Sequence, residues 1–366
     1  MTRSPNEKNW FEPLDPSGTS FDAAFEIGES YSGMNVRIPV HVRRSPNDGP
    51  TVFVTAALHG DELNGTGAIR QLILDSTFQP TKGTVILIPV LNVLAYDRHS
   101  RYLPDRRDLN RCFPGSPQGT LAGRMARHIY DELVSRCDFG IDLHTAALRR
   151  TNFPNVRADM TNKSVAKIAK AFGVPLIISN RGPEGSFRRV ATEAGCSTIT
   201  FEGGEVWKVE STICEYIVRG VRNVLCRLGM LQDSLAEPAS QSVVGQTKWV
   251  RADYGGFLRF HVAPGDVIEA GQPLATNTTL LGQEKNQLVA PFAAVVLGMT
   301  TLPSVSPGDP VCHLGQLSPA ELQQTRQPGR SLHDSLHRRT KTELATNVHV
   351  VEPQDHPFLN DETENR

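Results

Sequence analysis

TVFVTAALHGDEL, residues 51–63, carries an apolar run straight into His59-Gly60-Asp61-Glu62. A strand that ends in His-x-x-Glu can aim an imidazole and a carboxylate at one point in space. A second apolar run, CDFGIDLHTA at 137–146, ends with Asp142 and His144 two positions apart. Two imidazole nitrogens and one carboxylate oxygen drawn from two strand ends suit a zinc ion whose fourth position stays open to water. A third run, STITFEGGE at 197–205, puts Glu202 where a general base is wanted. Together these strand ends predict a zinc hydrolase with one Zn2+ per chain, ligated by His59, Glu62 and His144.

Working outward, short runs rich in Val, Ile and Leu alternate with longer helix-like segments from residue 36 to about 230. That alternation predicts an α/β layered sheet. The expected strands are 36–42, 51–58, 84–90, 137–143, 175–179 and 197–202; the expected helices are 62–75, 119–136, 161–172, 186–194 and 209–230. Runs such as VILIPVL are continuously apolar, which indicates burial on both faces of a sheet. Ligands of open sheets collect outside the carboxyl ends of strands, where His59, His144 and Glu202 all sit. After residue 231 the texture changes to brief β-type runs punctuated by Gly and Pro, a small all-β module ending near Gly315. Residues 318–366 are polar and too thin in apolar side chains to build a core. The expected division is therefore a catalytic domain over 1–240, a β domain over 241–317 and a disordered polar tail, with room for one short helix, over 318–366.

A chain of 366 residues exceeds the ~100–200 of one domain, and Lys+Arg at 38 against Asp+Glu at 39 leaves a formal charge of -1. Nothing global points to nucleic acid or an anionic membrane. Six cysteines without a CxxC pair read as reduced thiols. The opening MTRSPNEKNWFEPLDPSG lacks the apolar region of a secretory signal, and no later run approaches the ~18 apolar residues of a membrane span. The expected location is the cytoplasm.

The polar loop around RYLPDRRDLNRCFPG, residues 101–115, concentrates Arg98, Arg101, Arg106, Arg107, Asn110 and Arg111. Arg106 and Arg107 read as solvated. Asn110 and Arg111 lie between Leu109 and Phe113, whose burial would hold them in place. HGDE, DLNR, DLHT and TFEGG, in that order, resemble the succinylglutamate desuccinylase and aspartoacylase family, a branch of the zinc carboxypeptidase-like superfamily. The resemblance covers residues 50–317, including the β module. It implies a mixed twisted sheet flanked by helices with a second, small all-β C-terminal domain. It also implies metal ligation by His59, Glu62 and His144, and general-base action by Glu202.

The chemistry fits those residue types. Two neutral imidazoles and one carboxylate leave zinc a net positive charge, so it can acidify a bound water to a pKa of about 7 and polarise an amide carbonyl. Glu202 takes the water's proton and passes it to the departing amine. An arginine shares the oxyanion, Arg101 first and Arg98 second, although this loop holds two more residues between its Arg-Tyr pair and DLNR than close relatives have. By the resemblance, Asn110 and Arg111 grip a substrate carboxylate, and a guanidinium fork beside an amide matches its two oxygens. Asn155 and Arg157, in the segment after His144, are further candidates for touching substrate. Asp142 is placed to orient His144 or to cap a helix. Asp61 is expected to support the following helix start. Glu205, after two glycines, ranks below Glu202 as base.

The β module resembles a lipoyl or biotinyl carrier in VAPGDVIEAGQPLA. Lys285, flanked by Gln283, Glu284 and Asn286, lacks the neighbours of a modified lysine, and the module is expected to shape the cleft rim or a homo-oligomer interface. The expected substrate is a small carboxylated amide, an N-acyl amino acid. The alternatives are a carboxypeptidase trimming a C-terminal residue, a hydrolase of carboxylated esters, and a non-catalytic binding protein on the same fold.

Overall fold

The computed structural model describes residues 19–30, 32–233, 235, 238, 240–326, 335–346, 348, 350 and 351. The segment read for a secretory signal, and the end of the expected tail, lie outside them. The chain divides into two compact units, residues 1–147 with 154–241 and residues 148–153 with 242–366.

In the first unit the strands are β1 (Ser20–Glu29), β2 (Asn35–Arg44), β3 (Thr51–Ala56), β4 (Thr84–Ile88), β5 (Phe139–His144), β6 (Arg150–Ala158, from residue 154), β7 (Leu176–Ser179) and β8 (Ser197–Gly204). The helices are α1 (Asn64–Leu74), α2 (Val93–Tyr96), α3 (Leu121–Glu132), α4 (Lys163–Phe172), α5 (Phe187–Glu193) and α6 (Ser211–Arg227). The sheet runs in the order β1-β2-β4-β3-β5-β8-β6, with β7 beside β6. β3 lies parallel to both β4 and β5, β5 parallel to β8, and the β1–β2–β4 edge is antiparallel. The sheet is thus mixed.

The register explains which side chains meet. Phe53, Gly140 and Thr198 are partners across three strands, then Thr55, Asp142 and Thr200, and then His144 and Glu202 on β5 and β8. Alternate residues share a face, so all of these belong to the face carrying Phe53. Phe53 packs on Phe187 of α5, ring centroids 5.4 Å apart, in a core with Met125 and Ile129 of α3. Gly140 makes this possible: a Cβ there would fall 2.1 Å from the Phe53 ring. The opposite face carries Phe201, stacked on Phe172 of α4 at 5.5 Å.

Two strands and α2 were not expected. β1 has the alternation Phe21, Ala23, Phe25, Ile27, yet only Phe25 and Ile27 are buried, and small Ala23 weakens the pattern. β6 contains Pro154, which has no N–H to donate and argues against a strand in sequence; its neighbours Phe153 and Val156 are nevertheless buried.

The second unit is built of antiparallel strands between Thr247 and Gln316 around Leu258, Phe260, Leu274, Leu288, Val296 and Leu314. Lys285 lies in the strand Glu284–Val289 and donates to the Gly255 carbonyl at 2.8 Å. Beyond this lie α7 (Pro319–Arg326) and α8 (Ser335–Ala345). The stretch read as a tail is therefore partly folded. Leu336 and Leu344 are buried, Val348 joins the β core, and the Val351 N–H donates to the Phe260 carbonyl at 2.8 Å. The apolar residues are sparse there, but helical spacing gathers Leu336, Thr340 and Leu344 on one side. Among the described residues, no helix is long and apolar enough to cross a membrane.

Candidate metal centre

β3 ends one residue before Ala57, whose φ of 51° turns the chain out of the sheet. The loop is then pinned: Asn92 donates to the Leu58 carbonyl at 3.0 Å, and Gly60 N–H to the Ser100 carbonyl at 3.0 Å. Gly60 presses so closely on α2 that a Cβ would meet the Ala95 carbonyl carbon at 2.1 Å. The Glu62 N–H donates back to the His59 carbonyl at 3.2 Å, closing a turn that brings both side chains inward.

His59, Glu62 and His144 are all buried, and their candidate donor atoms lie within 4.8 Å of one another. The Glu62 carboxylate sits between the two rings: Oε1 is 2.7 Å from Nδ1 of His59, and Oε2 is 2.8 Å from Nδ1 of His144. Each far nitrogen has its own carboxylate. Nε2 of His144 is 2.7 Å from Asp142, itself held by the Thr55 hydroxyl at 2.9 Å, and Nε2 of His59 is 3.2 Å from Asp108. Asp142 thus orients His144. Outer carboxylates of this kind fix the tautomer that presents a lone pair inward. A buried carboxylate between two inward-facing imidazoles, each backed by an acid, is a donor set that fits a divalent cation such as zinc.

The electrostatics agree. Burial opposes the charge on His59 and His144, but Glu62 with Asp108, and Asp142 with Glu62, outweigh it and raise both imidazoles, His144 strongly. Burial likewise opposes ionised Glu62, yet the two histidines hold its carboxyl far below the usual range. The cluster of His59, Glu62 and His144 is therefore anionic once its imidazoles are neutral.

Around this centre the expected residues divide. Glu202, opposite His144 in register, lies 3.5 Å from Nε of Arg157, and its carbonyl accepts from Asn155 at 3.4 Å. Arg101 donates to Asp108 at 2.8 Å and reaches within 3.6 Å of Glu62 and 3.3 Å of His59 Nδ1. Arg98 is exposed. Asn110 accepts from the Phe187 N–H at 2.8 Å, and exposed Arg111 donates to the Asn110 carbonyl at 2.7 Å. Glu205 is paired with Lys208, and Asp61 makes no cap on α1, whose N-cap residue is Leu63. The expected support of that helix start by Asp61 is not seen.

Sequence reasoning missed three side chains. Asp108 stood in DLNR without a role, although an acid beside an arginine and a histidine is the natural partner of both. Buried Arg188 donates to the Asn180 carbonyl and side chain at 2.7 and 2.8 Å, and its pKa falls to about 10 through burial and the nearby Arg157 charge. Glu210, the residue before α6, accepts from Asn64 at 2.8 Å and from the Glu205 N–H at 2.9 Å, tying the start of α6 to the start of α1 and to the residue after β8. Nothing in the local sequence distinguishes Arg188 or Glu210 from surface charges.

Comparison with known proteins bears on the same residues. A family model described as the succinylglutamate desuccinylase/aspartoacylase catalytic domain matches residues 48–228. The N-alpha-acetyl-L-2,4-diaminobutyric acid deacetylase of Halomonas elongata is 29% identical over 255 residues, 66% of this chain and 73% of that protein. The product-bound ectoine utilization protein EutE (DoeB) of Ruegeria pomeroyi shares the fold with a TM-score of 0.73 at 24% identity, over 85% of this chain and 100% of that one. A succinylglutamate desuccinylase/aspartoacylase of Rhodobacter sphaeroides does so with a TM-score of 0.71 at 23% identity, over 81% and 96%. The matched segment begins before β3 and ends after α6, and so contains every residue of the His59, Glu62 and His144 centre; that segment is a catalytic domain of the succinylglutamate desuccinylase/aspartoacylase family.

Proposed function

We propose that this protein is a zinc-dependent deacylase that hydrolyses the amide bond of an N-acyl amino acid or a related small carboxylated amide. The observation that carries the reading is the convergence of buried His59, Glu62 and His144, donor atoms within 4.8 Å, one strand from Glu202. The match to the family's catalytic domain over residues 48–228, and the deacetylase activity named for the Halomonas elongata relative, support the deacylase class.

His59, Glu62 and His144 would hold the ion, which when bound would supply a Lewis acid for the amide carbonyl and for water. Glu202 is partly exposed beside that centre, so its Oε atoms can take a proton from the attacking water and return it to the amine nitrogen as the amide breaks. Arg157, 3.5 Å from Glu202, keeps that carboxylate aimed. Arg101, anchored by Asp108, presents its guanidinium to the developing oxyanion. Asn110 spends its carbonyl oxygen on the Phe187 N–H, which leaves its amide N–H group to donate. With Arg111 it makes a donor pair suited to a substrate carboxylate.

The test is release of free amine from the zinc-loaded protein offered a panel of N-acyl amino acids, N-acetyl-diaminobutyrate among them, alongside dipeptides. Turnover of acyl amino acids with inert dipeptides is expected. Preference for dipeptides makes it a carboxypeptidase, and inertness to the whole panel overturns the hydrolase reading.

A further inference from the structure

We propose that Trp207 is a positioning residue, a strap that joins the loop of the metal ligands to the loop of Arg101. This rests on the deacylase reading only for its kinetic arm.

Trp207 is an unusual residue on physical grounds. Its φ is 60°, a left-handed backbone that a bulky side chain rarely adopts, and 56% of it is exposed to solvent. An aromatic residue held this way needs compensation, and strained residues cluster where geometry is used. Two hydrogen bonds supply it. The Trp207 N–H donates to the Asp61 carbonyl at 2.8 Å, inside the His59–Glu62 turn. The indole Nε1–H donates to the His99 carbonyl at 3.2 Å. One residue thus holds two loops that are about 40 positions apart in sequence.

The second of those loops leads directly to Arg101. His99 is itself left-handed, with φ 47°, and the Ser100 carbonyl accepts from Gly60 N–H at 3.0 Å. Two residues past His99, the Arg101 guanidinium meets Asp108, His59 and Glu62. Gly60 fastens the loop at Ser100, and Trp207 fastens it one residue earlier. A backbone gripped at two successive carbonyls cannot pivot, so Arg101 enters the centre from one direction. Without the indole donor, the loop keeps the Gly60 bond and its own bonds to α2, from the Arg98 and Ser100 N–H groups to the Ala95 carbonyl at 3.2 and 3.1 Å and from the His99 N–H to the Tyr96 carbonyl at 2.9 Å, but it loses its tie to Trp207, and the arginine stem is positioned less tightly.

The conservative test is Trp207→Phe, which keeps an aromatic ring and the main-chain bond but removes the indole N–H. Amide hydrogen exchange, read by mass spectrometry on the zinc-loaded protein, is expected to speed up several-fold in the peptide covering residues 98–103 and to stay unchanged in the α4 and α6 peptides. This arm needs no substrate. In kinetics with an N-acyl amino acid, Trp207→Phe is expected to lower kcat about tenfold with KM within twofold, and to have no further effect once Arg101 is alanine, since coupled residues are non-additive. Zinc stoichiometry should stay at one. Unchanged exchange at 98–103, or an equal loss of kcat with and without Arg101, overturns the strap. A wild-type protein that hydrolyses no acyl amino acid refutes the functional reading instead, and the exchange result still decides the strap.

Discussion

A carboxylate three residues from a histidine is commonplace; what gives His59 and Glu62 chemical meaning is the third group, His144, 2.8 Å from the other oxygen of Glu62. Glu202 stands outside this triad, paired with Arg157. We therefore predict that Glu202→Gln retains one zinc per chain by elemental analysis while kcat falls roughly 10²–10⁴-fold, the span of a lost general base. Retained turnover would move the base to another group. The histidines make a second prediction, for metal-free protein. The folded pKa of His144 is raised above the ordinary 6.5, mainly because Asp142 and Glu62 overcome the effect of burial. A raised value means a stabilising contribution that is complete below the unfolded pKa and lost as pH rises through the folded one. The melting-temperature advantage of metal-free protein over its His144→Gln variant should accordingly shrink as pH climbs above about 6.5. An advantage that grows over that range contradicts the assignment.

At the scale of elements, the centre exists because strand ends and loops are brought into contact by residues with no chemistry of their own. Gly60 is one of them. Its missing side chain lets the ligand loop lie on α2, where a Cβ would be 2.1 Å from the Ala95 carbonyl carbon and 2.2 Å from the Tyr96 nitrogen. Both are backbone atoms and cannot swing aside. Gly60→Ala is predicted to cost about 1–3 kcal/mol, the range for overpacking, and to lower zinc affinity, measured by thermal melting and competition with a chelator. A variant with unchanged melting and zinc binding would show that the loop has slack. The central strands were readable because β3, β4 and β5 are apolar nearly throughout, whereas β6 was not, because Pro154 interrupts the signal that marks a strand.

For the whole molecule, the C-terminal segment matters more than its composition suggests. Leu336, Leu344 and Val348 are buried in the second unit, and burying an aliphatic side chain is worth about 1.5–3 kcal/mol. A chain ending at residue 318 should melt several degrees lower and bind a hydrophobic dye; identical melting would mean that the segment contributes nothing. The sequence by itself determined the layered α/β sheet, the β module and the candidate cluster of His59, Glu62 and His144, because each is written in local signals: apolar runs, glycine and proline punctuation, and histidines and acids at strand ends. Tertiary structure alone decided the rest. That Asp108 backs His59, that Arg188 is buried beside Arg157, that Glu210 ties the start of α6 to the start of α1 and that Trp207 grips two loops are all pairings across distant segments. A charge or an indole looks the same in sequence whether water or a partner satisfies it, and only the register of β3, β5 and β8 with the loops after them makes that choice.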